Sequence, residues 1–129
     1  MKNHEDVENL EKLIVQLTSL HSEISQLAKK SPNDGLNVFK LKLVNKVLKA
    51  GNAILTPRYI PFEDFECFEE DSLPTNSDVT MILAQYMEQA ERFRSDHMVY
   101  HTHNWYYKID GEASNIRGNA PTRIGGVKK

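Results

Sequence analysis

Residues 4–30 read HEDVENLEKLIVQLTSLHSEISQLAKK, and this stretch decides the fold more than any other part of the chain. Its mostly apolar stripe recurs at spacings of three and four residues, the periodicity of an amphipathic helix. Three more leucines widen the stripe beyond the narrow seam of a two-stranded coiled coil, so we expect a long helix packed in a bundle. The stripe consists of Val7, Leu10, Ile14, Leu17, His21, Ile24 and Ala28, widened by Leu13, Leu20 and Leu27.

Two further long helices are predicted, one over residues 36–55 and one from the polar run 75–78 to about residue 97. Residues 39–43 also alternate like a strand, but the helical period continues for much longer and favours helix. Proline and glycine in residues 31–35 separate the first two helices. The second stripe is Leu36, Phe39, Leu43, Val47, Ala50 and Ile54, broadened by Val44, Leu48 and Leu55; the third is Val79, Ile82, Leu83, Tyr86, Ala90, Phe93 and His97.

The remaining segments are shorter. Phenylalanines three residues apart in the acidic stretch 62–73 predict a short helix with its rings on one side. Residues 99–109 are rich in aromatic and β-favouring types, which fits a short strand or an ordered extended arm before a turn at Asp110-Gly111. The predicted fold class is therefore all-α: a helical bundle of three long helices, a short acidic helix and an aromatic C-terminal arm. We expect residues 1–110 to form a single domain and residues 111–129 to form a flexible basic tail.

Composition places the chain among globular proteins of the cytoplasm. Its 129 residues suffice for one core, and the hydrophobic fraction of 40% argues against general disorder. Cys67 is the only cysteine, so no intrachain disulfide can form, which fits a reducing compartment. The N-terminus lacks the apolar run of a signal peptide, and no run is long enough to span a bilayer. We therefore predict a cytoplasmic location without membrane contact.

Charge is segregated along the chain although the net charge is only −2. Residues 61–78 carry seven acidic side chains and no basic one, whereas residues 31–60 carry five basic side chains and one acidic one. The acidic block can therefore dock on a basic surface or repel other acidic molecules.

A histidine cluster is the closest approach to a metal site. His97 and His101 share a helix face if the third helix continues to residue 101, and His103 follows closely. Imidazoles are good zinc and copper ligands, so a small metal-dependent enzyme is one alternative function. The spacing matches no standard motif, however, and His97 also completes the apolar stripe. We expect neither a cofactor nor a catalytic residue, and we interpret Glu88 and Glu91 as members of a solvated helix face.

A row of lysines on the second helix suggests another alternative. Lys42, Lys46 and Lys49 follow a helical spacing and could contact phosphates in a non-specific nucleic-acid-binding accessory protein. No arginine or aromatic residue lies between them, so we interpret the row as the solvent-exposed face of an amphipathic helix. We do not expect nucleic acid to be the main partner.

Aromatic residues carry the leading functional prediction. Rings this large are costly to leave in water, so they must find a pocket in this protein or in a partner. Wide apolar stripes also exceed what a small bundle can cover, which predicts a protein partner or self-association. We therefore expect a non-enzymatic interaction or regulatory subunit. The predicted contact residues are Phe62, Phe65 and Phe68 of the acidic segment and Trp105, Tyr106 and Tyr107 of the arm.

Overall fold

A computed structural model describes residues 1–123 of the chain. It contains three helices, α1 (His4–Lys30), α2 (Val38–Leu55) and α3 (Asn76–Asp96). A three-stranded antiparallel sheet follows, with β1 (Met98–His101), β2 (Asn104–Ile109) and β3 (Glu112–Arg117) in sequential order. The predicted all-α class is therefore wrong. The fold combines three helices with a small antiparallel sheet, because two tight turns fold the chain after α3 back on itself.

A polar residue comes directly before each helix, and its side chain accepts a hydrogen bond from the first helical turn. Asn3 accepts from the Asp6 amide of α1 at 2.9 Å. Asn37 precedes α2 and Thr75 precedes α3 in the same way, with bonds of 2.8 and 3.1 Å. Such caps satisfy amides that have no partner inside the helix, and they fix where each helix starts.

The main core lies where the three helices meet. Leu13 and Leu17 of α1, Leu48 of α2 and Tyr86 of α3 are fully buried there or nearly so. Gly51 permits the close approach of α2 and α3, since a Cβ at this position would lie 3.3 Å from the Tyr86 ring. This glycine, which by itself weakens the last turns of α2, thus makes room for the fully buried ring of Tyr86.

The sheet forms around residues in left-handed conformations. Thr102 and His103 join β1 to β2, and Asp110 and Gly111 join β2 to β3, all four with positive φ. Two-residue turns of this kind match the twist of a hairpin, and Asp-Gly is a preferred sequence for them. Tyr107 of β2 is buried in a second apolar cluster, which joins the sheet to the beginning of α1. The buried members of that cluster are Val7, Leu10, Met98 and Tyr107.

The acidic segment, residues 62–73, has no regular secondary structure, so the predicted short acidic helix is wrong. Side chains of α2 provide partners for its backbone instead. Asn45 donates to the Phe68 carbonyl and accepts from the Phe68 amide, both at 2.9 Å. Asn52 donates to the Glu66 carbonyl at 2.9 Å. Because these groups bond to α2, they do not form the bonds that a helix would require.

Part of the range expected to form a flexible tail takes ordered positions. Residues 112–117 form β3, and residues 118–123 lie against α3. Residues 124–129 lie outside the described part of the chain, and the division into a domain and a tail stays a prediction. Within residues 1–123, none of the helices has the length and apolar character needed to cross a membrane.

Candidate functional site

The three phenylalanines of the acidic segment form a ladder across the protein's own surface. Phe62 and Phe65 meet edge to face at 6.4 Å between centroids, and Phe65 and Phe68 do so at 5.1 Å. Phe65 and Phe68 pack against the main core, while Phe62 stays more exposed. The segment therefore docks on its own chain, and two of its three predicted contact residues are used internally.

The three predicted contact residues of the aromatic arm also differ in burial. Tyr107 is buried, whereas Trp105 and Tyr106 are half-buried. Trp105 meets the exposed Tyr100 edge to face at 5.4 Å. Trp105 and Tyr106, unlike Tyr107, are therefore in reach of a partner.

The three predicted histidines do not assemble. His97 ends α3, where its ring stacks on Phe93 at 4.3 Å and its Nδ1 lies 2.7 Å from the Phe93 carbonyl. Burial lowers the pKa of His97, which favours the neutral ring. His101 and His103 are exposed on the first hairpin. Within residues 1–123, no group of three or more His, Cys, Asp or Glu side chains is placed to hold a metal ion.

Sequence reasoning missed a network that binds residues 118–123, here named the strap, to α3. Arg94 donates to the carbonyls of Asn119 and Ala120 at 2.8 and 2.9 Å. Glu91 accepts from the amide and hydroxyl of Thr122 at 3.1 and 2.7 Å. Arg94 and Glu91 also pair with each other at 2.8 Å. The two side chains thus act as a clamp on an extended peptide.

Glu91 makes the clamp sensitive to acid. Burial alone raises the pKa of Glu91, but hydrogen bonds from Arg94 and Thr122 outweigh it and lower the pKa to about 2. Because this pKa is lower in the folded than in the unfolded chain, the contribution is complete above about pH 4.5 and is lost as pH falls towards about 2. We expect Glu91→Gln to reduce the pH dependence of the unfolding free energy in that window. Urea unfolding across the window checks this, with exposed Glu112→Gln as control; an unchanged pH dependence in Glu91→Gln would contradict it.

A groove between α1 and α2, with a volume of about 760 Å³, exposes apolar surface. It arises because the apolar residues of α2 cover a wider arc than the core can bury. Leu41, Val44 and Leu48 face the core, whereas Leu43, in the predicted stripe, is exposed. The apolar residues along the groove are Leu13, Val15, Leu20, Leu43, Val47, Ala50, Ala53 and Ile54.

Two features give this groove the character of a docking surface. Val15 is 63% exposed on the α1 side, and Phe39, one turn before Leu43 on α2 but outside the lining of the groove, is 70% exposed. Among the described lining residues, only Lys12 and Lys46 are charged. An apolar floor between lysines suits a helix with an apolar face and acidic edges.

The predicted lysine row borders this groove. Lys46 lines it, and Lys42 and Lys49 are exposed nearby on α2. In the part of the chain that the structure describes, none of the three lies within 4.0 Å of a carboxylate. The row is therefore available to an acidic partner, while the acidic segment bonds to α2 through asparagines rather than through ion pairs.

Comparisons with protein-family models, curated proteins and solved structures give no significant match. Function therefore has to be inferred from the chain's own geometry.

Proposed function

We propose that this chain is a non-enzymatic protein-interaction or regulatory subunit whose groove between α1 and α2 binds a partner protein's amphipathic helix with acidic edges. The observation that carries the proposal is the exposed apolar floor, in which Val15 and Leu43 remain accessible between Lys12 and Lys46.

The dimensions of the groove support one helix as occupant. Its α1 side runs from Asn9 to Leu20, about 18 Å at the rise of an α-helix. A partner helix of about three turns covers that length and places anchors at helical spacing on the groove floor. Burying a fully exposed valine or leucine is worth roughly 1.5–3 kcal/mol, so a few such anchors support a moderate affinity.

Charge supplies orientation rather than most of the affinity. Exposed ion pairs typically contribute about 0.2–1 kcal/mol each, so Lys12 and Lys46 alone would not hold a partner. They do favour an acidic helix over a basic one, and they speed its approach at low salt. Trp105 and Tyr100 form a second, smaller aromatic surface that a larger partner can also contact.

A selection experiment tests the proposal. A displayed library of helical peptides would be selected against the folded full chain and then re-measured against Val15→Glu/Leu43→Glu. We expect acidic amphipathic helices to be enriched and to lose at least about tenfold in affinity for the double variant, because glutamates then occupy the groove floor. Met81→Glu, at an exposed position of α3 outside the groove, is the matched control and should keep the wild-type affinity.

The same library tests the role of charge. Lys46→Glu should shift the peptide edge that faces α2 from acidic to basic, while the edge that faces Lys12 stays acidic and the apolar anchors persist. Peptides that bind the double variant as well as the Met81→Glu control would contradict the groove as the site. Sedimentation of the unliganded chain shows whether a second copy of this chain or a different protein occupies the groove. If the chain forms a dimer and Val15→Glu converts it to a monomer, the occupant is this chain itself.

A further inference from the structure

A second cleft, along the second half of α3, gathers three guanidinium groups. It has a volume of about 490 Å³ and lies between that half-helix, the turn after α2 and the end of the strap. Arg58 enters from the turn, Arg92 from α3 and Arg123 from the strap. Gln85 and Gln89 add amide groups from α3.

The two carboxylates among the described residues of this cleft already have partners. Glu88 accepts from Arg123 at 2.6 and 2.9 Å and from Arg92 at 3.1 Å, so both of its oxygens are bonded. Hydrogen bonds from Arg123 lower the pKa of Glu88, which keeps it ionised as the orienting anion between two arginines. Asp96 accepts from the Tyr59 hydroxyl.

Donors remain after these bonds are made. Among residues 1–123, no carboxylate lies within 4.0 Å of the Arg58 guanidinium, which lies 5.4 Å from the centre of the Tyr59 ring. Arg92 donates a hydrogen bond to Glu88 through Nε, and within residues 1–123 its terminal nitrogens donate no hydrogen bond. Among the described lining residues, three arginines stand against two carboxylates, which gives this lining a net positive charge.

We propose that this cleft binds a phosphate group, held between Arg58 and Arg92 with the amides of Gln85 or Gln89 as further donors. Planar guanidiniums that approach from different elements suit the several acceptor oxygens of a phosphate. Glu88 takes no phosphate oxygen; it holds Arg92 and Arg123 in place. The site is separate from the groove between α1 and α2, so either proposal can fail without the other.

Titration with inorganic phosphate tests this site. The Nε–Hε signals of the arginines would be followed by NMR at constant ionic strength, because exposed charge interactions are screened by salt. We expect saturable shifts at Arg58 and Arg92 and at least a roughly tenfold weaker affinity in Arg58→Gln, which loses charge-assisted hydrogen bonds. Arg117→Gln, at an exposed position of β3 outside the cleft, should titrate like the wild type.

Phenyl phosphate distinguishes the two sources of the group. Saturation by both probes assigns the site to a phosphomonoester, and saturation by inorganic phosphate alone assigns it to free phosphate. The proposal is overturned if the shifts do not saturate, if all arginines shift alike, or if Arg58→Gln binds as tightly as Arg117→Gln.

Discussion

Arg94→Met is expected to lower the free energy of unfolding by about 3 kcal/mol, because it removes one partner of a largely buried ion pair. Only 9% of the Arg94 side chain is exposed. The substitution leaves the Glu91 carboxylate without its guanidinium and the carbonyls of Asn119 and Ala120 without donors. Methionine preserves most of the side-chain volume, so the loss reports the polar contacts rather than a cavity.

Arg92→Met is the matched control, since Arg92 lies two residues earlier on α3 and pairs with Glu88 at 3.1 Å while 46% exposed. An exposed pair of this kind is worth less than about 1 kcal/mol, so the control should change little. Urea unfolding at neutral pH measures both variants. Equal losses in the two would show that the clamp on the strap contributes no more than a surface pair.

Asn45→Ala is expected to cost about 2 kcal/mol, because it leaves the amide and carbonyl of Phe68 without protein partners in a partly buried place. The acidic segment should then detach locally, and the Phe68 amide should exchange hydrogen much faster. Native-state hydrogen exchange together with urea unfolding measures both effects.

Asn9→Ala serves as control for that experiment, since Asn9 is an exposed asparagine on α1. Its substitution should leave exchange at Phe68 unchanged. If Phe68 exchanged at the wild-type rate in Asn45→Ala, the bonds from Asn45 would not be what holds the acidic segment to α2.

Helical periodicity made much of the fold predictable. The stripe from Val7 to Ala28 predicts the extent of α1, because an amphipathic pattern that persists over so many turns is typical of a helix alone. On α2 the pattern was less decisive, since apolar residues occupy two arcs. Leu43 and Phe39 belong to the predicted stripe but are solvent-exposed. Only the tertiary packing determines that the core contains Leu41, Val44 and Leu48.

The third strand β3 and the strap could not be predicted in the same way. β3 has few apolar residues, so its alternation is too weak to distinguish a strand from a tail. The strap has the asparagine and proline of an ordinary loop, and Glu91 and Arg94 resemble a common surface pair on a helix. Their role depends on hydrogen bonds to residues 25 or more positions away, which no local pattern encodes.

The acidic segment illustrates how a local pattern can mislead. Phe62, Phe65 and Phe68 have helical spacing, yet the rings form a ladder on an irregular backbone. The sequence feature that points to the irregular backbone of the acidic segment is the pair Asn45 and Asn52, which lie seven residues apart on one face of α2 and bond to that backbone. Asparagines within the packed face of a helix indicate that a neighbouring backbone needs partners, because polar groups taken out of water are hydrogen-bonded.

Methyl NMR of the full chain with a selected acidic helical peptide tests the proposed docking groove most directly. The proposal predicts that the methyl signals of Val15, Leu43 and Leu20 shift and saturate together, while those of Leu73 and Met81, exposed elsewhere, stay in place. Saturable shifts confined to Leu73 or Met81, with the three groove residues unchanged, would contradict the assignment of the groove between α1 and α2 as the docking surface.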